Sequence, residues 1–295
     1  MTLINQLRVE AHRNLAFTVI VNPSSGPGSS QFPDDQYSTA VQTLNAYPNV
    51  KTVGYVRTGY ATRNISTVIS EVNTYAGWAS KTSSLAMHGI FFDESPHEYV
   101  AEAVEYMRNV NQAVKNATGL QGDKTVRKSS FYPDSKDSVM KRNCWQPATQ
   151  VIHNPGTIPD SSYNDTNTDI TVVFEDSYPA YQTKLASLTA LPSNRSAYSL
   201  MINSVPIMDV DNLRQFVDQL SQLAEFLFIT SNSKDFYESF GSQWVNFTSV
   251  MPAWRVWLSV TCQSPTSEQN LDNVEHNNRG SDVVRLTPKG NMFHT

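Results

Sequence analysis

The chain has 295 residues, with 22 Lys and Arg against 27 Asp and Glu, and a 39% hydrophobic share that can fill a substantial core. No Lys/Arg cluster is interleaved with aromatics, which argues against a nucleic-acid partner, and no uncharged apolar stretch is long enough to span a bilayer. The two cysteines, Cys144 and Cys262, permit one disulfide at most and have neither metal-ligand nor redox spacing, so no metal and no cofactor is expected.

The opening "MTLINQLRVEAHRN" reads as an amphipathic helix rather than a signal peptide. Seven segments rich in β-branched or aromatic residues follow: "FTVIVN", "TVGYVRT", "HGIFFDE", "VIHN", "ITVVFE", "SLMINS" and "EFLFITS". Segments with apolar residues three or four apart separate them, including "TRNISTVISEVNTYAGWA", "SPHEYVAEAVEYMRNVNQAVKNA" and "DVDNLRQFVDQLSQLA". Apolar strands alternating with amphipathic helices predict a parallel sheet covered by helices, an α/β fold. Nearly every strand ends in polar groups, as on the active rim of a (β/α)8 TIM-barrel-like fold. Seven strands are one short, and the missing one is expected to be a first strand lying before Met1.

Two regions break the pattern. Residues 126–150 are basic and aperiodic, and removing them joins "GDKT" to "VIHNPG" as a sensible strand; a retained intron and a functional loop are the two origins considered. Residues 251–295 read as an irregular or disordered tail, which leaves 1–250 as the barrel domain. Sequons at Asn64, Asn116, Asn164, Asn194 and Asn246 would suit a secreted protein, but matches of this kind also arise by chance.

"GIFFDES" ends an apolar strand in two acids, Asp93 and Glu94. Ser95, Pro96 and Glu98 have the pattern of a helix start at about Pro96, so Asp93 is the last strand residue, Glu94 is in the turn, and only one of them faces the barrel axis. "ITVVFEDSYPAY" has the same form and closes on Glu175 and Asp176, two strands further round the rim. Two carboxylates across a groove suit glycoside hydrolysis, and solvation at the rim is the alternative. Tyr55, Tyr60, Tyr178 and Tyr181 are candidate sugar-stacking rings, the last three read as loop residues, and Phe92 reads as core; Asn22 is a polar strand end able to bind substrate hydroxyls, and His153 and Asn154 are strand ends able to bind substrate hydroxyls or hold a carboxylate. "NPSSGPG" lacks the P-loop lysine and the dinucleotide spacing and reads as a rim loop.

In "FTVIVNPSSGPG", "VGYVRTGYATR", "GIFFDES", "VIHNPGTIP" and "ITVVFEDSY" the chain resembles the spherulin 4-like family, the spherulation-specific family 4 of cell-surface glycoside hydrolases. The resemblance implies a barrel that cleaves α-1,4-linked N-acetylgalactosamine within a galactosaminogalactan-type polysaccharide, with Asp93, Glu94 and Glu175 as its essential acids. It also implies an extracellular or cell-surface location. Relatives begin with a strand that has no counterpart here, which would leave two open edges. The competing expectations are a noncatalytic polysaccharide-binding surface protein and an inactive truncated product.

Overall fold

The Val-, Ile- and Phe-rich segments all become parallel strands in the computed structural model. It describes residues 12–121 and 149–252, and residues 255–260 as backbone alone. The strands are β1 (Ala16–Val21), β2 (Val50–Arg57), β3 (Gly89–Asp93), β4 (Gln150–His153), β5 (Ile170–Ser177), β6 (Tyr198–Asn203), β7 (Phe226–Ile229) and β8 (Arg255–Val260). They close into a ring in chain order, with β8 pairing back onto β1. Inside the ring and under the helices, both strand faces are dry, which explains why the strands read as continuous apolar runs rather than as alternations. The α/β barrel is therefore as expected.

Outside the ring lie α1 (Asp35–Asn45), α2 (Ile65–Gly77), α3 (Ala101–Asn116), α4 (Tyr178–Thr189), α5 (Val210–Leu223) and the short α6 (Trp244–Val250). Three of them start at a side-chain cap that satisfies an otherwise unpaired backbone donor. Asp34 accepts from the Tyr37 N–H at 2.8 Å, Asn64 from Ser66 at 2.9 Å and Asp209 from Asn212 at 2.9 Å. None of these helices is long and apolar enough to cross a membrane.

Four expectations need correction or fall outside the described residues. The eighth place in the ring, assigned above to a strand before Met1, is filled by β8 from the region read as tail, and Met251 is buried. An open ring has two rows of unpaired backbone groups, and "RVWLSV" satisfies both by pairing with β1 and β7. The helix expected from Pro96 begins at Ala101, because Ser95 is drawn toward the next strand. Its N–H donates to the Asn154 carbonyl at 3.0 Å and its buried hydroxyl to the Phe92 carbonyl at 2.9 Å. The expected insertion at 126–150 ends earlier, since Thr149 is buried against α3 and Gln150 opens β4 opposite Gly89. The rest of that segment lies outside the described residues, as do most of the amphipathic opening, Cys144, Cys262 and the tail beyond Val260.

Strand parity sorts the side chains. Tyr55 and Phe91 stack inside the ring with centroids 6.2 Å apart, while Phe92 faces outward and is fully buried under the helices, as expected of a core residue. Gly54, one residue from Tyr55, also faces outward, and α2 lies so close that a Cβ there would stand 2.5 Å from the Tyr75 ring. Tyr75 is locked in turn by its hydroxyl, which donates to the Val21 carbonyl at 2.9 Å. Gly54→Ala should therefore lower stability by about 1–3 kcal/mol through overpacking. Thermal denaturation would read this as a lower midpoint, and an unchanged midpoint would mean that α2 does not press on β2 in this way.

Candidate active site

All eight strands run the same way, so their C-terminal ends open at one mouth, where polar strand ends can meet. Asp93 ends β3 on the inward parity of Phe91. Its Oδ2 accepts the Tyr55 hydroxyl at 2.6 Å from β2. Asn154 follows β4, and its amide Nδ2 donates both to Asp93 Oδ1 at 2.8 Å and to Glu175 Oε2 of β5 at 2.5 Å. The amide orientation is fixed, since Asn154 Oδ1 accepts the Gly156 N–H at 3.1 Å. One nitrogen bonded to both acids holds the two accepting oxygens within the sum of those bonds, about 5.3 Å. The acids two strands apart are thus brought together, and β4 between them supplies the link.

Glu175 reaches this position through an irregularity. Val173 is an extra residue in the pairing of β5 with β6, where the register steps from Val172 opposite Ser199 to Phe174 opposite Leu200. Such a bulge re-aims the side chains beyond it. Phe174 turns out to pack edge-on against Tyr181, and Glu175 turns in. The backbone is tied there, with the Glu175 N–H donating to the Gly156 carbonyl at 2.9 Å. Gly156 has φ +66°, a left-handed conformation that glycine adopts without strain. The second oxygen, Glu175 Oε1, accepts the hydroxyl of Tyr237 from the loop after β7.

Glu94 is set apart from this pair. Its φ is +50°, and its carbonyl accepts from the Tyr60 N–H and the Thr58 hydroxyl, each at 2.6 Å. Its carboxylate lies 3.7 Å from Arg57 Nε. Gly59, Tyr60 and Ala61 all have positive φ as well, so the β2 and β3 loops form one strained and mutually bonded rim. Tyr60 stands 57% exposed on that rim, open to a ligand.

The other expected residues divide. Tyr55 and Asn154 are in the acid cluster. Asn22 shapes its own loop, with Oδ1 accepting the Gly26 N–H at 3.0 Å and its carbonyl accepting the Tyr37 hydroxyl at 3.3 Å. His153, expected to bind substrate, points the opposite way from Asn154 because the two are consecutive. It is buried outside the ring, with Nε2 2.7 Å from Asn111 Oδ1 on α3. Burial lowers its pKa to about 4, so it is a neutral structural imidazole. Tyr181, read as a loop residue, is on α4, buried against Phe174 and Phe216. Tyr178 opens the same helix, packs on Phe216 and borders a surface groove toward α5 rather than the acid cluster. Asp176 is exposed and folds back on the Ser177 N–H.

Sequence reasoning passed over Tyr237 and Gly156. Gly156 acts through backbone contacts, which leave no compositional mark. Tyr237 sits in "KDFYESF", and its only signal was an aromatic pair in a loop on the active rim. Its ring is held by Phe228 of β7 and Phe236, with centroids at 5.5 and 4.5 Å.

Burial raises the pKa of Asp93, while hydrogen bonds from Tyr55, Glu94 and Asn154 and the Arg57 charge pull it back. Glu175 is pushed up to about 7, first by burial and then by the Asp93 charge, against the hydrogen bonds of Tyr237 and Asn154. Burial also raises Glu94, opposed by Arg57. The cluster can therefore hold one ionised and one protonated carboxyl near neutral pH.

A family model described as spherulation-specific family 4 matches residues 5–251. Among solved structures the chain is similar to that of Aspergillus clavatus Sph3 in complex with GalNAc, with 36% sequence identity and a TM-score of 0.72. The match covers 84% of this chain and 90% of that one. No curated protein matches.

A pKa raised in the fold means that Glu175 contributes stability below its ordinary range, near pH 4.5, and that this is lost as pH rises through about 7. Glu175→Gln cannot ionise. Its melting temperature relative to the parent should therefore climb between pH 4.5 and pH 8. A difference that stays flat across that window would show that Glu175 is not held protonated.

Proposed function

The chain belongs to spherulation-specific family 4, and from that premise we propose that it is a glycoside hydrolase acting on aminosugar polysaccharide. The substrate in this reading is a galactosaminogalactan-type polymer, cut internally at α-1,4-linked N-acetylgalactosamine or galactosamine. Asp93, Glu175 and their shared amide at the mouth of the barrel are the observation that carries it, and the GalNAc complex of the similar Sph3 structure supports an aminosugar ligand.

The spacing favours retention of configuration. The two oxygens that share the Asn154 amide, no more than about 5.3 Å apart, stand closer than the roughly 6.5–9.5 Å that admits a water between the carboxyl groups, which favours the closer arrangement of a nucleophile and acid/base pair. Asp93 is the nucleophile. The Tyr55 hydroxyl and the Asn154 amide stabilise its ionised form, leaving a carboxylate to attack the anomeric carbon. Glu175, with the higher pKa, is the general acid that protonates the departing oxygen and then the base that activates water. Glu94, turned toward Arg57, supplies charge beside Asp93 and binds substrate. Tyr60 offers an exposed ring face for a sugar.

Activity should fall as pH rises through about 7, where Glu175 loses its proton. The decisive comparison is polymer hydrolysis by the parent, Glu175→Gln and Asp93→Asn. Each substitution should reduce kcat by at least about 1,000-fold, with binding of the polymer retained. Undiminished cleavage by either variant ends this assignment. Binding without turnover by the parent itself would make the protein a noncatalytic polysaccharide binder.

A further inference from the structure

Resting on the glycosidase reading, the hydrogen bonds around Glu175 also say which of its oxygens carries the proton. Glu175 Oε2 faces the Asn154 amide, whose orientation is set by the Gly156 N–H, so that only N–H groups point at the acids. An amide N–H donates and cannot accept, so a proton on Oε2 would find no acceptor in the Asn154 side chain. Glu175 Oε1 faces a phenol instead, and a hydroxyl can do either. The Tyr237 ring is fixed between Phe228 and Phe236, so its hydroxyl stays at Oε1 while the hydrogen turns.

We propose that Tyr237 is a positioning residue for catalysis: it holds the acid proton of Glu175 on Oε1, accepting from the protonated acid and donating to the carboxylate once the proton has left. In the first step the Oε1–H bond breaks and the proton passes to the glycosidic oxygen. The bond from that oxygen to the anomeric carbon breaks with its electron pair, and an Asp93 oxygen bonds to the carbon. The Tyr237 hydrogen swings back onto Oε1. In the second step water returns a proton to Oε1 as its oxygen displaces Asp93 from the sugar, and the hydroxyl turns again. No further reactant is needed. The leaving-group oxygen must accordingly approach from the side of the β7 loop rather than from β4.

The groups that face Glu175 are Asp93 from β3, Asp176 on its own strand, Tyr237 from the β7 loop and, further out, Tyr60 from the β2 loop. Of these, Tyr237 is the one that donates to Oε1. Removing its hydroxyl takes a charge-assisted hydrogen bond from the carboxylate and only a weaker neutral one from the protonated acid, and so moves the acid's midpoint upward. A role limited to filling space would leave that midpoint in place.

The test combines two readouts on the parent, Tyr237→Phe and Tyr55→Phe, the latter removing the donor to Asp93 instead. The first is an infrared titration of the Glu175 carboxyl band, obtained as a difference from Glu175→Gln and requiring no substrate. The second is the pH profile of kcat on the aminosugar polymer. Tyr237→Phe should move both the infrared midpoint and the alkaline limb up by on the order of one pH unit. It should also lower kcat at pH 6 about 10-fold or more, whereas Tyr55→Phe moves the acid limb. An infrared midpoint unmoved in Tyr237→Phe overturns the proposal whatever the activity does. A midpoint that moves in a protein without hydrolysis supports the shared proton and overturns the glycosidase reading alone.

Discussion

One amide nitrogen between two carboxyl groups is the interaction on which the site depends. A buried carboxylate is costly to keep without partners, and two of them within a few ångströms cannot both ionise freely. Here each of the four carboxyl oxygens has a donor: Tyr55 and Asn154 for Asp93, Asn154 and Tyr237 for Glu175. The pairing makes burial tolerable and leaves the two acids unequal. Asp93 has the Arg57 charge in its favour, while Glu175 is raised by the Asp93 charge. Two carboxyls that differ only in their surroundings thereby take up different protonation states, the condition for acid and nucleophile roles in one site.

The barrel supplies what this arrangement needs from the backbone. Because β3, β4 and β5 are consecutive in the ring, Asp93, Asn154 and Glu175 come from neighbouring strands and meet without any long loop. Parity and one bulge do the aiming. Asn154 faces in because His153 faces out, and Glu175 faces in because Val173 is an extra residue in the β5 to β6 pairing. The left-handed residues Gly59, Tyr60, Ala61 and Glu94 are concentrated beside the same acids, and Thr58 ties both loops together through the Asp93 and Glu94 carbonyls. Strain is thus held at the rim by a buried threonine.

The division between rim and shell also explains the fate of the aromatic residues. Rings at the mouth are exposed or bonded to an acid, as with Tyr60 and Tyr237. Rings in the first turn of a helix, as with Tyr178 and Tyr181, join the packing between α4 and α5. In the proposed mechanism the first group handles sugar and protons and the second only fixes the helices that carry the loops.

The chain's own pattern was enough for the α/β barrel, for seven of its strands, and for the presence of Asp93 and Glu175 at one mouth, because burial on both faces and polar strand ends are recorded locally in residue type. Tyr55 and Asn154 could be named for the same reason, Asn154 also as a residue able to hold a carboxylate, though not that it joins both acids or that Tyr55 bonds to Asp93. The strand "RVWLSV" was missed: six residues carry too little periodicity, and only pairing with β1 and β7 makes them a strand. The delayed start of α3 came from Ser95 bonding to the Asn154 carbonyl just after the neighbouring strand β4, a contact that outweighs a good local capping pattern. Whether His153 or Asn154 faces the groove, how the bulge turns Glu175 inward, and that Tyr237 arrives from a distant loop were decided by tertiary structure alone. Each depends on which backbone groups meet across strands, and a linear reading of side-chain types does not contain that information.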